Sequence, residues 1–523
     1  MENNGMEDIK AAVEARVKAE EEALGGSEKK DDGITAAFIY ACLNANERGD
    51  GALFAALNRG QFIFNKTSSS WFAWNRHHWR LDVLEKVFQS VEQVSDKYLD
   101  EAEKLSEKIK EAATLKEADR VKKLQAQQEA FFKRVKRLRS VAGAQACLTW
   151  SHRVEEALSI RGEEFDRNPW LLACSNGVIE LDTGRCRPGR PDDVLIKAVP
   201  HDWQGEDCPA PNWEQFLLDV FAGDTELIGY VQRLFGYGIT GLATEHILPV
   251  LYGAGRNGKG TLVETLRYVL DELAQPIQSE MLLDQRSSRG SSGPSPDIMS
   301  LKGLRIAFAS ETDEGRKFST SKAKWLSGGD TLTGRNPHDK YETTFAPTHL
   351  LCLLTNHLPH APGDDFAFWQ RIHLVPFNIQ FVDKPTAENE RPKDKGLPER
   401  LKAEASGILA WLVRGCIEWQ RQGLNPPEKV RSATEQYRFS EDILAEFIQE
   451  CCEGPEDTDP DSRVQFKEVY EAFEAWFTRT RGDYPPKKKK FSQLMEKKFR
   501  KEKKGSHIWF YGLTLKPVED RGE

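Results

Sequence analysis

A glycine-rich run, Gly253-Ala-Gly-Arg-Asn-Gly258-Lys259, satisfies the spacing G-x-x-x-x-G-K. Glycines at these positions let backbone N–H groups turn inward around phosphates, and the lysine adds a full positive charge. The run follows the apolar stretch HILPVLY and precedes the helix-patterned TLVETLRYVL, so a helix N-terminus adds its own positive potential there. Gly253, Gly255, Asn257, Gly258, Lys259, Gly260 and Thr261 are the expected nucleotide-binding set, and the loop alone implies only a nucleoside triphosphate. A hydroxyl that ligates Mg²⁺ commonly follows the lysine directly. Here Gly260 holds that position, and Thr261, one place on, is the candidate hydroxyl.

A nucleotide hydrolase also needs an acid at the end of a neighbouring strand, to hold Mg²⁺ and polarise the attacking water. LRIAFASETDEG supplies it: an apolar strand over 304–309 ends at Ser310 and is followed by Glu311, with Asp313 and Glu314 just beyond. Glu311 is the expected metal-binding and catalytic acid, and the water-activating role stays open between it and Asp313. Further on, the strand 350–355 delivers Asn356, whose amide suits water orientation or γ-phosphate sensing. Arg371, in DDFAFWQRIHLVPF, has the chemistry of an arginine finger acting on a neighbouring subunit. Between them, TLTGR-NPHDK-YETTF reads as a hairpin with Arg335, His338 and Lys340 near its tip.

These residues require a strand–loop–helix α/β core over about 246–385. Around it, 1–33 reads as a flexible acidic tail and 34–205 as an α+β region with a tryptophan cluster and a long charged helical stretch. Residues 206–245 read as a helical collar, 386–440 as a helical segment completing the ATPase, and 441–523 as a basic module. From Arg481 to Gly505 there are eleven Lys or Arg against three acids, although the whole chain of 523 residues carries a formal charge of −9. The order helix, helix (KKFSQLMEKKFRK), turn, strand suits a winged helix. Lys487, Lys488, Lys489, Lys490, Lys497, Lys498, Arg500 and Lys501 are its expected phosphate contacts. Trp71, Trp74 and Trp79 fit aromatic packing better than base stacking.

The ordered motifs GxGxNGKGT, strand-SE, K-x3-GGD-x4-R, strand-TN-x2-P and W-x-R-I-x3-PF resemble a superfamily 3 helicase. More narrowly, they resemble the helicase portion of phage and plasmid primase-helicases and their poxvirus relatives. W-F-A-W-N, FDRNPWLLACSNGVIELDTG and LFGYGITG extend the likeness upstream, and it runs on to the lysine-rich end, covering about 45–515. The resemblance implies an AAA+-like hexameric ring that encircles one DNA strand and usually moves 3′ to 5′. Lys259 then contacts phosphates, Glu311 is the Walker B acid, Asn356 the sensor and Arg371 the finger, while Arg335, His338 and Lys340 lie on the pore hairpin. Many members carry two adjacent acids at the Walker B end, where this chain has Ser310-Glu311-Thr312.

No apolar strand ending in D-x-D precedes residue 200, so a primase is not expected in this chain. Nine cysteines without C-x-x-C spacing argue against a zinc ribbon or a disulfide framework. No run reaches the length of a membrane span. The expectation is an ATP- and Mg²⁺-dependent, homohexameric helicase acting on single-stranded and forked DNA, with a separate primase or polymerase as partner and no membrane. Its place would be the cytoplasm of a bacterial host, encoded by a phage, prophage or plasmid. The rival reading is an ATP-regulated initiator or loader that binds DNA without processive unwinding.

Overall fold

The computed structural model describes residues 34–285, 293–310, 314–337, 339, 341–453, 461–481 and 485–517. The N-terminal tail, Glu311, Asp313, His338 and Lys340 lie outside these residues. The chain divides into two compact units, Met1–Gly205 and Glu206–Glu523.

The first unit is built on helices α1 (Ala36–Asn44), α2 (Asn46–Leu57), α3 (Glu92–Thr114), α4 (Ala118–Leu138) and α5 (Val141–Ser151). On α3, Val94, Tyr98, Ala102 and Leu105 recur at helical spacing and are buried, and α4 answers with Phe131, Phe132, Val135 and Leu138. Strands β1 (Phe62–Asn65), β2 (Ser70–Asn75), β3 (His78–Leu81) and β4 (Ser159–Ile160) form a sheet in the order β3-β2-β1-β4. The tryptophans pack into this unit. Trp74 meets Trp79 edge-on at 5.3 Å, Trp71 meets Phe64 at 5.1 Å, and the Trp79 indole donates to the Pro191 carbonyl at 2.9 Å. A second sheet joins β5 (Leu171–Cys174), β6 (Gly177–Glu180), β7 (Arg185–Arg187) and β8 (Ala198–Val199) in the order β7-β6-β5-β8. The Asn-Gly signal falls at the β5–β6 turn, with Cys174 opposite Gly177.

The second unit begins with α6 (Pro211–Val220) and α7 (Thr225–Gly238). It then builds a parallel sheet from β9 (Leu248–Tyr252), β10 (Ala274–Gln278), β11 (Ile306–Ser310), β14 (Leu350–Thr355) and β15 (Ile372–Pro376), with α8 (Lys259–Leu270) after β9. The order is β10-β11-β14-β9-β15, every neighbouring pair parallel. Parallel strands covered on both faces read as continuous apolar runs, and LPVLY, IAFAS and LLCLLT do so. One face packs on a core containing Val250, Ala307, Leu351 and Leu353; on the other, Phe235 of α7 lies 6.3 Å from Phe308. β12 (Leu332–Gly334) and β13 (Thr343–Phe345) form the antiparallel hairpin within this unit.

Helix α9 (Ala405–Gln422) crosses α7 so closely that a Cβ on Gly236 would overlap the backbone of Gly415 and Cys416. Two short parallel strands, β16 (Gln380–Val382) and β17 (Glu390–Pro392), lie beyond β15. After α10 (Glu428–Glu441) and α11 (Ile443–Cys451) comes the C-terminal module. It contains β18 (Cys452–Glu453), β19 (Arg463–Gln465), α12 (Phe466–Arg481), α13 (Lys488–Lys498), β20 (Arg500–Lys504), β21 (His507–Tyr511) and β22 (Thr514–Leu515). The expected helix through KKFRK stops at Lys498, and Arg500 and Lys501 enter a strand instead. Phe491 and Met495 bury the face of α13; Phe499 follows on that face but takes extended backbone, because the chain must turn to pair with β21.

Candidate nucleotide site

The Gly253–Gly258 loop leaves the C-terminal end of β9 and enters α8 at Lys259. Gly255 and Gly258 hold φ of +96° and +83°, a region that suits glycine. Gly258 has a second constraint, since a Cβ there would sit 2.6 Å from Val220 Cγ2 on α6. The loop is pinned from both sides. Asn257, only 3% exposed, donates through Nδ2 to the Phe377 carbonyl at 3.3 Å, while the Phe381 N–H donates to the Arg256 carbonyl at 2.7 Å.

Lys259 is 6% exposed, and its Nζ donates to the Gly253 carbonyl at 2.6 Å and to Asn356 Oδ1 at 2.9 Å. Strand register explains the second contact. Thr355 lies opposite Tyr252, so β14 and β9 end level and Asn356 emerges beside the loop. Burial pushes the Lys259 ammonium down to about 8. Ser310 of β11 is level with Leu354, at the same edge of the sheet. A cavity of about 650 Å³ adjoins the loop, lined by Gly258 and Thr261 on one side and by Phe216, Phe381, Asp383 and Lys393 on others. Sequence reasoning did not point to this cavity: its walls come from α6 and from the β16–β17 strands, which carry no motif.

Other expected site residues lie elsewhere. Arg371 precedes β15, and its carbonyl accepts from the Leu248 N–H at 2.6 Å. That is the start of β9, five residues or about 16 Å from the loop end. Its Nη1 donates to the Ala367 carbonyl at 2.7 Å, and its buried Nε has no partner among the described residues. Arg371 therefore does not share a sheet edge with the Lys259 loop of its own chain. Arg335 follows β12, its N–H donating to Ser295 Oγ at 3.2 Å and its Nη1 to the Asp339 carbonyl at 3.3 Å.

In the basic module, Lys487, Lys488, Lys489 and Lys490 are exposed. Lys497 is tied to Asp364 at 2.5 Å and Lys498 to Asp442 at 2.7 Å. Arg500 stacks over the Tyr511 ring at 4.3 Å. The Lys497 contact, with Lys490 beyond it, holds the Asp364 carboxyl below the usual range. Among the described residues, no helix is long and apolar enough to cross a membrane.

A family model described as D5 N terminal like matches residues 51–222. A helicase-named protein of Acanthamoeba polyphaga mimivirus, L207/L206, is 28% identical over 327 residues, covering 60% of this chain and 33% of that protein. Helicase-named proteins 022R of Frog virus 3 (isolate Goorha) and 184R of Invertebrate iridescent virus 6 are 24% and 25% identical. They cover 60% and 68% of this chain, and 39% of each of those proteins. The chain thus spans between a third and two fifths of the length of these relatives. Among solved structures, the apo C-terminal region of NrS-1 aligns at a TM-score of 0.36 and 13% identity, over 61% of this chain and 76% of that one. Over its matched N-terminal residues and over three fifths of its length, this chain is thus similar to D5-like, helicase-named viral proteins.

Proposed function

We propose that the chain is an ATP-dependent, ring-forming DNA helicase of superfamily 3 that unwinds duplex DNA during replication of a phage, plasmid, virus or integrated element. The observation that carries this reading is the buried Lys259, held between the Gly253 carbonyl and Asn356 where two parallel strands end level. The strand order β10-β11-β14-β9-β15, with the loop strand flanked by the strand that ends at Asn356, supports an AAA+-like core. The adjoining cavity supports a nucleotide rather than bare phosphate as ligand, since Phe216 and Phe381 offer apolar walls beside Gly258.

Loop N–H groups, the N-terminus of α8 and Lys259 would bind and orient the triphosphate. Thr261 and Glu311 are the candidates to hold Mg²⁺, which when bound neutralises charge on the phosphates. Asn356 would orient the attacking water. Arg371, at the opposite end of β9 from its own loop, suits service to a neighbouring subunit, which favours a homohexamer over a monomer. Two helices followed by antiparallel strands support a winged-helix-like DNA-binding module. A separate primase or polymerase would be its replication partner, and Arg335, His338 and Lys340 its contacts with the strand in the pore.

The test uses purified chain, a forked DNA duplex and ATP. Strand release by the natural sequence and none by Lys259→Ala is expected. ATP turnover without strand release would favour the initiator or loader reading.

A further inference from the structure

The lysine-rich run draws attention to α13, yet the last turn of that helix faces the acids of its own unit, with Lys497 on Asp364 and Lys498 on Asp442. A second cationic surface stands on the three-stranded sheet of the same module, ordered β19-β21-β20. Side chains alternate along strands, so His507, Trp509 and Tyr511 share one face. Register adds Arg463 and Arg500 on either side of Tyr511, Gln465 and Glu502 beside Trp509, and Lys504 beside His507. The opposite face turns Val464 and Phe510 into the module's core.

On the outer face the cations lie over rings. Arg463 lies 4.8 Å from the Trp509 ring centre, Arg500 4.3 Å and Lys504 5.4 Å from that of Tyr511. Arg463, Arg500 and Lys504 are all exposed. Glu502 is the acid among them, with Lys504 3.6 Å away. A guanidinium stacked on a ring keeps its N–H donors free at the edges while losing conformational freedom before any ligand arrives. The Cα atoms of the three residues span roughly 10 Å across two strand spacings by 13 Å along β20, while the charged ends of Arg500 and Lys504 both lie over Tyr511, 4.3 and 5.4 Å from its ring centre. A DNA duplex carries one negative charge per about 1.7 Å of its axis, so such a patch covers several phosphates. Because the rings are already covered, unstacked bases find little free aromatic surface.

We propose that this outer sheet face, through Arg463, Arg500 and Lys504, binds the phosphate backbone of duplex DNA. The inference rests on the DNA-binding reading above and names the surface that reading left open.

The experiment measures binding of the full chain to a fluorescent 20-base-pair duplex, and to a single strand of equal length, across a salt series. Arg463→Ala combined with Arg500→Ala and Lys504→Ala should lower the slope of log K against log salt by about 2.7, that is about 0.9 for each phosphate no longer neutralised. Duplex affinity should fall about a hundredfold at low salt. Arg463→Lys with Arg500→Lys keeps charge and should retain most of the slope, which separates charge loss from misfolding. A folded triple variant with the natural slope overturns the proposal. Loss of single-strand binding with duplex binding kept overturns the choice of duplex. If the natural chain binds neither DNA, the DNA-binding reading itself fails and this inference falls with it.

Discussion

The ammonium of Lys259 and the amide oxygen of Asn356 lie 2.9 Å apart, although the residues are 97 positions apart in sequence. With the Gly253 carbonyl, Asn356 holds the lysine across the space that phosphates would take. Asn356→Ala should leave ATP affinity within about tenfold and lower turnover by about a hundredfold, the usual cost of removing one aligned polar group at a reacting centre. Asn356→Asp should instead weaken binding, because its charge pairs with Lys259 and repels the γ-phosphate. Isothermal titration and steady-state hydrolysis on the two variants check this. Natural turnover in a folded Asn356→Ala protein would remove Asn356 from the site.

Burial holds Lys259 at about 8, below its ordinary value, because the charged form is the one desolvation penalises. Bound phosphates favour that charged form and raise the value again. Triphosphate binding at about pH 9 should therefore take up close to one proton, and affinity should fall by up to about tenfold per pH unit above about 8. Well below pH 8 the lysine is already charged and uptake vanishes. Calorimetry in two buffers of different ionisation enthalpy reads the proton directly. No uptake at pH 9 would mean that the lysine is already charged in the free chain or does not meet the phosphates.

Phe381 tests the cavity. Its N–H holds the Arg256 carbonyl whatever the side chain, so Phe381→Ala keeps the loop tie and removes only the ring. ATP affinity should drop about tenfold while tripolyphosphate affinity stays unchanged. Equal losses for both ligands would place the ring in loop packing instead of nucleoside binding.

Arg371 lies at the start of β15, whereas the Lys259 loop leaves the far end of β9. Arg371→Ala should bind ATP nearly normally and hydrolyse it poorly. Mixing it with Lys259→Ala should restore part of the activity, because some interfaces then join an intact loop to an intact arginine. Absence of recovery, with subunit exchange demonstrated by labelled chains, would rule out this cross-subunit role.

Two glycines of α7 make an internal comparison of stability. A methyl on Gly236 would collide with the backbone of α9, and overpacking of this kind costs about 2–3 kcal/mol. A methyl on Gly229 would meet only Arg233 Nη1, at an ordinary contact distance of 3.4 Å, so Gly229→Ala should stabilise by about 0.5–1 kcal/mol. Denaturant midpoints of the two variants should move in opposite directions.

What the sequence disclosed follows from the range of the interactions involved. The glycine-rich loop and its flanking strand and helix are local, and the unbroken apolar runs of β9, β11 and β14 announce strands buried on both faces. Strand order is not local. Nothing in the neighbourhood of Arg371 says that its strand joins the sheet beside β9, with Arg371 at the edge away from the loop. The lysines of α13 read as free charges because their partners, Asp364 and Asp442, lie 133 and 56 residues away. The helix boundary in KKFRK departs from expectation for a related reason. Lysine and arginine favour helix by propensity, but pairing with His507–Tyr511 overrides that preference from Arg500 onward.

The contact between Lys497 and Asp364 makes the second unit its own rival for the basic helix. A carboxylate already seated on the ammonium is a resident competitor, so an incoming phosphate gains only the difference between two anions, not the whole attraction. Weakly charged strangers are thereby turned away while a dense polyanion prevails. Asp364 stands seven positions before Arg371, so the competition is played out in the segment that ends at that arginine.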